Sequence, residues 1–111
     1  MKRGDIYFAA LDPTVGSETQ KLRPVLIVSN DAANQFSALV SVLPLSSLIK
    51  RVHPFEVLLK AADSGLSKDS KIMAQQIRTL DKQRLNARRA GRLSDALQPA
   101  VDAALRLHLA L

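Results

Sequence analysis

Pro24 is followed by an unbroken apolar run, Val25-Leu26-Ile27-Val28, and this constrains the chain more than any other stretch. Proline cannot donate to a sheet ladder, so Pro24 belongs at a strand's first residue or on a sheet edge. The run after it is rich in β-branched residues, which fits a strand from Pro24 to Ser29 buried on both faces. Arg23 then stands at the mouth of a stiff element. The segment before it, Asp12-Pro13-Thr14-Val15-Gly16-Ser17-Glu18, reads as a polar loop. A cation held rigidly beside polar loop groups is one way to build a phosphate site. A solvated strand-end arginine beside an ordinary hairpin loop fits these residues equally well, so the rest of the chain must decide.

The 111 residues suffice for one domain, 1–111, with one core. The chain is 47% hydrophobic, too apolar for a disordered chain. It has no cysteine. That excludes a disulfide framework or a thiolate metal site and fits a reducing compartment. Asp5 and Asp12 interrupt any leader-like segment, and Asp102, Arg106 and His108 interrupt the last apolar stretch. The expectation is a cytoplasmic protein with no membrane partner. The formal net charge is +6. It is concentrated between Lys71 and Arg92, where seven bases meet one acid, Asp81. Such a concentration is the footprint of a polyanion partner, or else a solvated basic face.

Strands are expected over Ile6–Leu11, Pro24–Ser29, Ala38–Leu43 (ended by Pro44), Pro54–Leu59 and Lys71–Ile77. A short helix follows Asn30 or Asp31, either of which can cap it. A turn or short helix is expected near Thr79–Lys82, and a basic strand over Leu85–Arg92. Ser94–Leu111 is helical, with Leu97, Val101, Ala104, Leu105 and His108 on one face. Pro99 either bends a helix that starts at Ser94 or occupies the first position of one that starts at Gln98. Strands in series with one terminal helix define a mainly β, α+β class, a small curved antiparallel sheet or barrel. A sheet of this size gains from dimerisation. Leu107, Leu109 and Leu111 either make a dimer contact or complete the monomer core.

His53 and His108 are isolated and the carboxylates are scattered, so no metal site is expected. No cofactor is expected either. The residues left to carry chemistry include Arg23, Glu18, Ser17, Thr14, Ser46, Ser47, Gln75, Gln76 and Arg78. Hydroxyls, amides and guanidiniums suit phosphate binding and hydrogen bonding to base edges.

These residues fall in an order that resembles the MazF/PemK family. The order runs Arg3-Gly4-Asp5-Ile6-Tyr7, Asp12 to Glu18, Arg23-Pro24-Val25-Leu26, Ser29-Asn30-Asp31, Pro44-Leu45-Ser46 and Pro54-Phe55-Glu56-Val57. It continues through Gly65-Leu66, Gln76-Ile77-Arg78-Thr79-Leu80-Asp81, Arg84-Leu85 and Gly91-Arg92-Leu93-Ser94. The resemblance covers nearly the whole chain. It implies a Src-homology-3-like antiparallel barrel with a C-terminal helix, working as a homodimer. It also implies a toxin that cuts single-stranded RNA, often messenger RNA, at specific sequences and without metal. Its partner would be a cognate antitoxin whose acidic, disordered tail occupies the RNA groove.

Carried over residue by residue, the family's arginine falls on Arg23, its post-strand hydroxyl on Ser46 and its loop glutamate on Glu18. These three are the implied catalytic residues. Thr14, Ser17, Gln20, Lys21, Ser47, Gln75, Gln76 and Arg78 are the implied RNA-binding residues. Many relatives have Asp-Gln where this chain has Gln75-Gln76, and Gln75 cannot serve as a base. Ser46 keeps the hydroxyl of the usual Thr without the methyl that fixes its rotamer. The implied reaction is attack of the RNA's own 2′-hydroxyl on the adjacent phosphate, with Arg23 stabilising charge. The rival reading is a gyrase-binding poison of the CcdB kind or a weakened RNA-binding relative.

Overall fold

The computed structural model describes residues 1–11 and 21–111. Its strands are β1 (Asp5–Ala10), β2 (Leu22–Ile27), β3 (Leu39–Ser46), β4 (Glu56–Leu59), β5 (Ser70–Met73), β6 (Arg78–Asp81) and β7 (Gly91–Arg92). The α-helices are α1 (Asp31–Phe36) and α2 (Gln98–Leu109). The strands pair antiparallel in the order β4-β5-β3-β2-β1-β7, with β6 also paired to β3. The result is a curled antiparallel half-barrel with a C-terminal helix, an α+β fold.

The apolar run after Pro24 is buried on both faces, as its pattern requires. Leu26 packs with Ile6, Leu43, Leu45, Leu59 and Ile72 in a core that also receives Val101 and Ala104 of α2. Val25 and Ile27 point the other way, into a second core with Tyr7, Ala9, Val40, Val42 and Leu80. Alternate residues of one strand thus serve two cores.

Asn30 caps α1, its Oδ1 accepting from the Ala33 N–H at 2.8 Å. Asp31 instead accepts from the Arg3 N–H at 2.7 Å, tying the helix to the chain's start. Pro99 sits in the first positions of α2, so the regular helix begins at Gln98. Asp95–Leu97 forms a separate tight turn before it, and Ser94 makes no side-chain cap bond. Val101 and Ala104 are buried, while His108 is exposed and so lies outside the core that its spacing predicted. Leu107, Leu109 and Leu111 are exposed and do not complete the monomer core.

β2 runs Leu22–Ile27 instead of Pro24–Ser29, so Pro24 is its third residue and not its first, and three further elements differ. Pro44 does not end β3, which continues to Ser46. β3 pairs with β6 over Leu39–Val42 and with β5 over Leu45–Ser46. Pro44 lies in the gap between those two pairings, where its missing N–H interrupts neither. The expected strand Lys71–Ile77 stops at Met73, and Ala74–Gln76 forms a tight turn. That turn carries the chain past the same gap, so that Arg78–Asp81 pairs with β3 where a turn was expected. The basic strand Leu85–Arg92 shrinks to Gly91–Arg92. Leu85 stands opposite Ala9 and Gly91 opposite Ile6, so six steps on one side answer three on the other. The surplus residues bulge outward and expose Arg88 and Arg89.

Candidate functional site

In the β2–β3 register Val25 pairs with Pro44. Carried two residues further, that register sets Arg23 across from Ser46. On the other side of β3, Lys71 pairs with Ser46. Three adjacent strands therefore bring a guanidinium, a hydroxyl and an ammonium to one place. The turn Ala74–Gln76 adds Gln76, and β6 adds its first residue, Arg78. Together they line a cleft of about 400 Å³, floored by Leu11, Pro44, Leu45 and Met73. Among its described lining residues are three cations and no carboxylate, a field that attracts a polyanion.

Ser46 is held for donation. Its Oγ accepts from the Leu48 N–H at 3.1 Å, which leaves the hydroxyl proton free to point into the cleft. This backbone bond orients a rotamer that has no β-methyl to fix it.

Behind the cleft lies Glu56, at the start of β4, with its side chain 2% exposed. Its Oε1 accepts from the His53 N–H at 3.0 Å and from Lys71 Nζ at 3.2 Å. Its Oε2 accepts from Gln75 Nε2 at 2.8 Å. Burial alone would raise this carboxyl. The bonds from His53, Gln75 and Lys71 outweigh it and hold the group below its ordinary value.

Of the residues singled out in the sequence, Arg23, Ser46, Gln76 and Arg78 meet in this cleft. Ser47 lines an adjoining cleft of about 410 Å³ that shares Arg23 and Leu45 and is walled by Phe8, Leu66 and Lys68. Lys21 is exposed just before β2 and lines neither. Gln75 faces Glu56 and is not among the residues lining the cleft. Thr14, Ser17, Glu18 and Gln20 lie outside the described residues.

Sequence reasoning did not single out Lys71 or Glu56. The signal was present: Glu56 falls among apolar strand residues, and a carboxylate buried there requires a partner. The basic segment also divides. Lys71 and Arg78 reach the cleft, whereas Arg92 and Arg89 bind the buried Asp5 at 2.8 and 3.4 Å. Lys82 donates to the Asn34 carbonyl. His53 stacks on Phe55, with ring centroids 5.2 Å apart. Among the described residues, no three His, Cys, Asp or Glu side chains are grouped to hold a metal ion. No described helix is long and apolar enough to cross a membrane.

Fold and site together define a small α+β half-barrel with a cationic, hydroxyl-bearing cleft. The chain belongs to the PemK-like, MazF-like toxins of type II toxin–antitoxin systems, whose family profile matches residues 2–109. It is 44% identical to the endoribonuclease MazF9 of Mycobacterium tuberculosis, over all of this chain and 98% of that protein. It is also 44% identical to the endoribonuclease EndoA of Bacillus subtilis, over all of this chain and 96% of that one. Among solved structures, a mycobacterial endoribonuclease in complex with its cognate antitoxin superposes with a TM-score of 0.82 at 29% identity. That match covers all of this chain and 96% of the other. A MazE–MazF structure from Deinococcus radiodurans gives 0.83 at 27% identity, with the same coverage. These relatives are consistent with an RNA-cleaving enzyme.

Proposed function

We propose that this MazF-type toxin cuts single-stranded RNA at specific sequences, without a metal, in the cleft between Arg23 and Ser46. The observation that carries the reading is the convergence of Arg23, Lys71 and Arg78 on one hydroxyl-bearing cleft. RNA carries its own nucleophile. Its 2′-oxygen attacks the neighbouring phosphorus and forms a new P–O bond as the bond to the 5′-oxygen breaks. The 2′-hydroxyl proton passes to a base, and the leaving 5′-oxygen takes up a proton. The products are a 2′,3′-cyclic phosphate and a 5′-hydroxyl end.

Arg23 stabilises the charge that grows on the phosphate; its high pKa makes it a poor free acid. Ser46 donates its hydroxyl proton to a phosphate oxygen. Glu18 is assigned the general base, with Thr14, Ser17, Gln20, Lys21, Ser47, Gln76 and Arg78 along the RNA path. Lys71 joins them as a third phosphate-directed cation. The reading includes a homodimer and an acidic-tailed antitoxin that competes for the cleft, as its charge permits. The exposed Leu107, Leu109 and Leu111 are candidates for the dimer contact.

The test incubates the protein in EDTA with a long single-stranded RNA and with DNA of the same sequence, then maps the ends. Discrete cuts with 5′-hydroxyl ends in RNA alone support the proposal, since DNA lacks the nucleophile. Intact RNA in the presence of folded protein overturns it in favour of a non-cutting toxin of the gyrase-poison kind or a plain RNA-binding protein.

A further inference from the structure

Glu56 links two parts of the cleft wall. One of its oxygens holds Lys71, whose side chain is 13% exposed and whose Nζ also donates to the Arg51 carbonyl at 2.9 Å. The other oxygen holds Gln75, which sits in the turn between two cleft-lining residues, Met73 and Gln76. A carboxylate only accepts, so the Gln75 amide must turn its NH₂ toward Glu56. The amide oxygen is then buried and meets no donor among the described residues. Leaving a buried acceptor unmet is unfavourable, so the bond to Glu56 dictates the amide's orientation in spite of it.

We infer that Gln75 is a positioning residue: its neutral amide ties the turn Ala74–Gln76 to the Glu56–Lys71 pair, and so fixes Gln76 and Lys71 on the cleft wall. The inference rests on the reading of that cleft as the RNA-cleaving site. In this chain the neutral amide lets Glu56 stay ionised while it holds both Lys71 and Gln75. A carboxylate at position 75 would stand at hydrogen-bond distance from Glu56, and both could not ionise without repulsion. One proton would be shared at low pH and lost as the pH rises, with apparent pKa values that belong to the pair.

The charged groups around this pair come from several elements. β5 contributes Lys71, and the segment before β4 contributes His53, stacked on Phe55. α2 packs against the same turn and carries Asp102, Arg106 and His108. Asp102 is engaged by Arg3 and Gln98, and the other two are exposed. All of these remain in every position-75 variant, so the variant-to-wild-type ratio isolates the new pair.

The experiment measures kcat/KM on one single-stranded RNA from acid to mildly basic pH, for the wild-type protein, Gln75→Leu and Gln75→Glu. Gln75→Leu is expected to be about ten- to a hundredfold slower at every pH, the size of effect a small misplacement produces. Gln75→Glu is expected near wild type at the acid end and at least about tenfold slower by neutral pH. Ratios within about twofold of one throughout would overturn the inference, and so would a Gln75→Glu ratio that is lowered but flat.

A second readout is the NMR titration of Glu56 in the wild-type protein. It is expected below the ordinary glutamate value and higher in Gln75→Leu; an equal value in both would overturn the inference even if Gln75→Glu did not fold. Wild-type protein that leaves RNA intact would refute the functional reading instead, and the titration would still judge the tie to Glu56.

Discussion

Arg23 and Ser46 each lie two residues beyond Val25 and Pro44, the last positions that β2 and β3 pair with each other, and line the same cationic cleft. Their meeting is a property of the sheet's register. A slip of one residue would turn one of them to the opposite face and abolish the site. The two cores on either side of β2 hold that register, because Val25, Leu26 and Ile27 each have a fixed face to fill.

Ser46 is proposed to donate to phosphate while the Leu48 N–H holds its oxygen. Ser46→Ala removes the donor and is expected to lower kcat by about tenfold or more, since each well-placed donor contributes on this scale or above. Ser46→Thr keeps the hydroxyl and adds a rotamer-fixing methyl, and it should retain or raise activity. Steady-state kinetics on one RNA substrate checks both.

RNA binding should weaken steeply with salt, because Arg23, Lys71 and Arg78 gather in one cleft. Each phosphate neutralised on a single strand adds about 0.7 to the slope of log affinity against log salt. Arg78→Ala is therefore expected to reduce that slope by about 0.7. Salt titrations of a fluorescent oligoribonucleotide, with a cleavage-blocked 2′-position, measure it.

Stability should fall on acidification. Glu56 and Asp102 both have carboxyls held below their ordinary values of 4.5 and 3.8. For Glu56, burial opposes the shift and the bonds from His53, Gln75 and Lys71 prevail. For Asp102 the main cause is the hydrogen bond from Arg3. A carboxyl depressed in the folded state stabilises the fold above its unfolded pKa, and that contribution is lost as pH falls through the folded value. The melting temperature is thus expected to be insensitive to these groups near neutrality and to drop below about pH 4.5. Glu56→Gln should flatten the drop more than Asp102→Asn, because the Arg3–Asp102 pair is about a third exposed and screened by solvent.

Gly91 is a packing requirement. A Cβ at this position would lie 2.3 Å from the Ser64 carbonyl oxygen, and the Arg92 N–H donates to that same oxygen at 2.9 Å. Gly91→Ala must displace backbone and is expected to destabilise by about 1–3 kcal/mol, the range for overpacking. Urea unfolding at fixed pH would show a lower midpoint with an unchanged slope.

The strands that the sequence showed well are those whose pattern is self-sufficient. Val25–Val28 fits a strand with two buried faces, and Asn30 or Asp31 marked the start of α1, where the cap is Asn30. β3 was cut short at Pro44 because its tolerance of proline depends on where β5 and β6 attach, which is a long-range fact. For the same reason the turn at Ala74–Gln76 looked like strand: nothing local says that the chain must pass a gap on β3. At the site, Arg23 stood out beside the strand it precedes, whereas Ser46 was one of several polar candidates and took its role from the family resemblance. The partnership of Glu56 with Lys71 and Gln75 was not, since it joins β4, β5 and a turn. The concentrated basic segment pointed to a polyanion partner or a solvated basic face, and did not reveal that Arg89 and Arg92 would be engaged with Asp5.

The most direct measurement is cleavage of a single-stranded RNA in EDTA by wild-type protein and by Arg23→Ala, with 5′-end mapping. Arg23 is exposed, so its truncation should leave the fold intact by circular dichroism. The expected result is discrete cuts with 5′-hydroxyl ends for the wild type and a loss of about 10²–10³ in rate for the variant. Folded Arg23→Ala that cuts the same RNA at the wild-type rate would contradict the central claim.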